Sequence, residues 1–163
     1  MKISTLRFGE LDIPDDKIIT MPKPILGFER LKHYCIIERE EGEPFLWYQA
    51  IDDPAIAFII VNPLFFFQGY RIEVNPKEIE ELDIDNIKSV ETYVIVTVPA
   101  DARKMTANLQ GPILINTENR LAKQLILVNS DYGVNHPLLD DMDQAREHEE
   151  AFEEEEVGSK VLV

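Results

Sequence analysis

A chain of 163 residues, 45% of them hydrophobic, has the length of one domain and enough apolar material for a core. Sixteen basic against 31 acidic residues give a net charge of -15, which repels polyphosphate, disfavours direct RNA or DNA binding and attracts basic partners. The single cysteine, Cys35, excludes an intrachain disulfide framework, and without a charged n-region followed by an apolar h-region the chain reads as cytoplasmic.

Lys2 to Ile13 alternates apolar residues, with Gly9-Glu10 interrupting the period, and this predicts a hairpin or a bulged strand. Pro14-Asp15-Asp16 is turn chemistry, and Ile18-Ile19 leads a second strand that Pro22 and Pro24 end or confine to an edge. Phe28 and Leu31, three apart, suit one short helical turn. His33 to Glu38 reads as a strand closed by a charged turn at residues 40–44. Phe45 to Ile51 and Ala55 to Val61 then form a hairpin around Asp52-Asp53-Pro54, expected at the centre of the fold.

Asn62-Pro63 ends the second run and separates it from Leu64 to Phe67. Neither stretch approaches the roughly 20 residues of a membrane span. Phe65-Phe66-Phe67, taken as a strand, cannot all face one side, so two of the three are expected in the core while the third is left open as a contact residue. Asn75-Pro76-Lys77-Glu78 combines an N-cap asparagine, proline at the first helical position and an acid in the first turn, predicting a helix through Leu82.

Val90 to Val98 reads as a strand ended by Pro99, and residues 100–107 carry no clear pattern. In Asn108-Leu109-Gln110-Gly111-Pro112-Ile113-Leu114-Ile115-Asn116, Gly111-Pro112 is a turn that no helix can run through. Ile113 to Ile115 is a buried strand core, and Asn116 begins the next turn. Gly111 is expected to take a positive φ or to pack tightly against a neighbouring strand. Leu121 to Val128 reads as a further strand, and the polar stretch 129–137 as the end of the packed domain.

Residues 140–163 hold ten acids against two bases, Arg146 and Lys160, and few apolar residues. Such a segment seldom builds a core, so the expected organisation is a β domain over 1–139 and an acidic tail over 140–163, as a frayed helix or disordered.

His33 and Cys35 share a strand face as two metal ligands would, but a zinc site needs three or four ligands, so no metal is assigned. Asp52-Asp53 reads as turn composition rather than a carboxylate pair, because successive strand residues face apart. No phosphate-binding glycine loop, nucleophile elbow or His-Glu-x-x-His pattern occurs. No catalytic residue and no cofactor is assigned, and an enzyme with a scattered site stands as the alternative function class.

The order of Pro24-Ile25-Leu26-Gly27-Phe28-Glu29, Trp47-Tyr48-Gln49-Ala50-Ile51-Asp52-Asp53-Pro54, Ala57-Phe58 with Val61-Asn62-Pro63, the 108–116 stretch and Gln124 resembles the bacterial flagellar assembly factor FliW family. The resemblance spans roughly residues 1–139. It implies a mainly β, small antiparallel barrel-like single domain with one or two short helices. It also implies a non-enzymatic function: binding flagellin and, alternatively, the RNA-binding translational regulator CsrA, whose repression of flagellin synthesis is thereby relieved. The signature residues Gly27, Phe28, Pro54, Phe58, Asn62, Pro63, Asn108, Leu109, Gly111, Pro112, Asn116 and Gln124 are expected to be folding features, and no partner-contacting residue is assigned.

Overall fold

The computed structural model describes residues 1–128 and 130–139, so the expectation for the tail lies outside the described residues. Eleven strands are described: β1 (Lys2–Thr5), β2 (Gly9–Asp12), β3 (Ile19–Thr20), β4 (His33–Ile37), β5 (Leu46–Ala50), β6 (Ala57–Val61), β7 (Val90–Thr97), β8 (Thr106–Ala107), β9 (Ile113–Asn116), β10 (Leu121–Gln124) and β11 (His136–Pro137). Seven of them run in the order β7-β6-β5-β4-β3-β10-β9, and β9 pairs back onto β7, which closes a barrel. Pairing is antiparallel except between β3 and β10, which meet in parallel at Thr20 and Leu121. β8 and β11 extend the sheet from the second half of β7. The fold is therefore the mainly β barrel that the resemblance implies.

The aromatic and β-branched runs form the wall because both of its faces are covered. Inward, Tyr34, Tyr48, Ala50, Ile60, Tyr93, Ile113 and Ile115 share one core cluster. Outward, Cys35, Ile37 and Trp47 pack beneath the β1–β2 hairpin with Ile3, and Phe8, Leu11 and Ile13 join them. Tyr34 and Tyr48 stack inside the barrel with ring centroids 4.3 Å apart. Burial raises both hydroxyls, Tyr34 to about 12 and Tyr48 well above the usual tyrosine value.

Among the described residues the one helical segment longer than a single turn is Pro76–Leu82, where Asn75 caps the first turn by accepting from the Lys77 amide at 3.0 Å. Its hydrogen bonds follow the tighter 3-10 pattern, and Asp83 terminates it at φ 50°. At residues 25–31 the expected helical turn is a pair of tight turns, with Phe28 N donating to Ile25 O and Leu31 N to Phe28 O.

Three expectations are corrected. Residues 65–67 are not a strand: Asn62 accepts from the Leu64 amide and starts a 3-10 turn at Pro63–Phe65, which directs Phe65 outward and lets Phe66 and Phe67 pack on a second core cluster. The strand expected over 121–128 ends at Gln124: the Leu125 and Leu127 amides still donate to Pro112 O and Gln110 O in the β9–β10 register, but Pro112 has no N–H to return a bond and the Gln110 amide donates to Gly133 O. Asn116 is the last residue of β9 rather than only the first of a turn, and its side chain is buried.

Candidate interaction surface

Most of the signature residues act as joints between elements. At the corner before β9, Asn108 Oδ1 accepts from the Gly111 amide at 2.9 Å, and Gln124 Nε2 donates to the Gly111 carbonyl at 3.1 Å. A Cβ on Gly111 would stand 2.8 Å from Asn108 Nδ2 and 3.0 Å from Gln124 Nε2. Gly111 does not adopt a positive φ, so close packing is what demands glycine here. Leu109 is buried, and its carbonyl accepts from the Tyr70 hydroxyl at 2.7 Å. Asn116 Nδ2 donates to Leu82 O and Asp83 O, while its Oδ1 accepts from the Glu118 amide, so one side chain ties the helix end to the following turn.

Gly27 takes φ 93°, and Phe28 packs edge-on against Phe58 with centroids 4.9 Å apart. The Pro54 carbonyl accepts from the Leu6 amide, which pins the β1–β2 hairpin to the β5–β6 turn, and also from Gln49 Nε2. The adjacent acids are turn residues: Asp53 accepts from the Ala55 amide, and Asp52 accepts from the Lys32 and His33 amides and contacts His33 Nδ1. Partial desolvation pushes the Asp52 carboxyl up, but the two backbone amides and the imidazole outweigh it and hold the group below its ordinary range.

These contacts leave the candidate catalytic groups engaged in structure. His33 is exposed and faces Asp52, whereas Cys35 lies buried beneath the hairpin with its thiol pushed up to about 11 by burial, the reverse of an activated nucleophile. Among the described residues no group of three or more His, Cys, Asp and Glu side chains is placed to hold a metal ion. No described helix is long and apolar enough to cross a membrane.

The surface features that stand out are apolar. Phe65 is 67% exposed and Leu64 53%, beside a groove of about 340 Å³ lined by Asn62, Pro63, Leu64, Tyr70, Ile72 and the start of β7. A second groove, about 390 Å³, lies between Leu6 at the hairpin tip and the β5–β6 turn. The sequence drew attention to the phenylalanine run but gave no sign of Leu6 or Leu64, because a groove appears only once the strands that border it are paired. Clustered apolar exposure beside a concavity is the property of a contact surface.

The protein-family model described as FliW protein matches residues 2–138. The flagellar assembly factor FliW of Thermoanaerobacter pseudethanolicus is 40% identical over 146 residues, covering 89% of this chain and 97% of that relative. The corresponding protein of Natranaerobius thermophilus is 38% identical over 142 residues, covering 86% and 94%. A crystal structure of the flagellar assembly factor FliW superposes with a TM-score of 0.81 at 34% identity, over 87% of this chain and 99% of that one. Barrel, joints and relatives together define a flagellar assembly factor. The chain belongs to the FliW family.

Proposed function

We propose that the chain binds flagellin and, in a separate complex, the RNA-binding regulator CsrA, and that capture of CsrA relieves its repression of flagellin synthesis in the cytoplasm. Membership of the FliW family across residues 2–138 carries this reading. The net charge of -15 supports it, since an acidic protein is suited to a basic RNA-binding partner and unsuited to RNA itself.

An acidic protein stops RNA binding either by covering the RNA site or by docking beside it and repelling phosphates. Repulsion acts over a Debye length of about 8 Å at physiological salt, so it requires adjacency and weakens as salt rises. With this charge, and no nucleic-acid mimic in the sequence, adjacent docking with electrostatic exclusion is the mechanism proposed. The test is to titrate RNA against the preformed CsrA complex at rising salt while verifying that the two proteins stay bound. Recovery of RNA binding to the intact complex is expected, and persistent exclusion would establish direct occlusion instead.

A further inference from the structure

Along its first half, β7 has no β6 partner in the wall of the barrel. Two backbone contacts fix which way its residues point: Ser89 O accepts from the Thr117 amide and Ile95 O from the Asn108 amide, both on the β9 and β8 side. Backbone groups alternate along a strand, so Glu91 and Tyr93 also face β9, while Val90, Thr92, Val94 and Val96 face β6. Val94 and Val96 find their partners there, opposite Val61 and Ile59. Beyond Val61 the chain leaves the ladder through Asn62 and Pro63, and β6 has no residue opposite Thr92 or Val90.

The Val90 N–H is used by Ile87 O, but the Thr92 N–H and C=O and the Val90 C=O meet no backbone group among the described residues. Those three groups border the groove lined by Leu64, Tyr70 and Ile72. An unpaired strand edge beside an apolar groove is the arrangement that accepts an additional strand.

We infer that an extended segment of a basic partner, alternating apolar and basic residues, docks antiparallel along Val90 to Tyr93. The four residues offer about 13 Å of edge, enough for a short strand. Thr92 exchanges two main-chain hydrogen bonds with the residue opposite, and Val90 O accepts a third. Apolar side chains of the segment meet Leu64 and Ile72, and its basic side chains meet Glu91, which is exposed at the groove. Charge also selects the occupant. A second copy would bring -15 against -15, whereas a basic segment is drawn to this edge. The inference rests on the reading of the chain as a binding module and is tested without either proposed partner.

The probe is a hexapeptide of alternating valine and lysine, titrated into the isotopically labelled full chain while backbone amide exchange is followed by NMR. In the free chain the Thr92 amide is expected to exchange faster than those of Glu91 and Tyr93, and saturating peptide to slow it by about ten-fold or more. The fully N-methylated peptide keeps its side chains and charge but loses its donors, and its affinity is expected to fall by about ten-fold or more. Glu91→Lys is expected to weaken the unmethylated peptide. Equal binding of the methylated peptide, or shift changes spread over the acidic surface with no slowing at Thr92, would overturn the inference. Protection of Thr92 in the free chain would overturn it too: at high dilution the chain itself covers the edge, and if protection grows with concentration a second copy does.

Discussion

Gln124 reaches across from β10 to bond the Gly111 carbonyl at 3.1 Å, and the same nitrogen would lie 3.0 Å from any Cβ placed on Gly111. The group that fastens this corner would have to shift to admit a side chain there. Gly111→Val is expected to displace both Asn108 and Gln124 and to lower the stability of the whole domain by about 1 to 3 kcal/mol, the usual cost of overpacking. Urea unfolding read by circular dichroism checks this, and a midpoint equal to that of the native sequence would refute it.

Asn116 holds the end of Pro76–Leu82 through Leu82 O at 3.0 Å and Asp83 O at 3.3 Å, with Asn119 sharing the first acceptor. Asn116→Ala removes the donors and is expected to cost about 1 to 3 kcal/mol, as for other buried groups left unsatisfied. Asn116→Asp is expected to be at least as harmful, because it places a carboxylate against two carbonyls. Amide exchange in residues 76–83 should accelerate in both variants ahead of exchange in β4 to β6.

What the sequence made legible were features set by neighbouring residues. The 45–61 hairpin follows from two apolar runs around Asp52-Asp53-Pro54, and the capped start of the 76–82 segment from Asn75 and Pro76. Closure of the barrel was not legible in detail, since it depends on β9 pairing with residues 20 to 26 positions earlier in β7. Nor were β3, β8 and β11 as units, since two residues carry no periodicity. Leu125 to Val128 kept an apolar pattern, and the Leu125 and Leu127 amides stay in register with Pro112 and Gln110, yet Pro112 has no N–H with which to complete the ladder. The same limit applies to the contact surface: Phe65 was visible as a candidate, but the groove beside it exists because β6 parts from β7 at Asn62.

Asp52 links pH to the fold. Its native carboxyl titrates below the usual value near 3.9, so it stabilises the folded state above that value, and the contribution is lost as pH falls through the native pKa. Asp52→Asn is therefore expected to melt at a lower temperature than the native sequence at neutral pH, with the gap narrowing as the medium becomes more acidic. Thermal unfolding of both chains across the acid range checks the sign. A gap that widens on acidification would contradict it.

A chain cut after Leu139 is expected to stay folded. Among the described residues the last strand, β11, pairs with β8, and Leu138 is buried with its amide donating to Met105 O, so every described strand lies before the cut. Differential scanning calorimetry of residues 1–139 should give one cooperative transition. Its absence would mean that residues beyond 139 are part of the folding unit.

Partner exchange is the central claim, and native mass spectrometry of the purified chain with flagellin, with CsrA and with both tests it most directly. Two binary complexes and no assembly containing all three proteins is the expected result. Failure to bind either partner would contradict the proposed function and favour an unrecognised activity, and a stable ternary complex would contradict exchange.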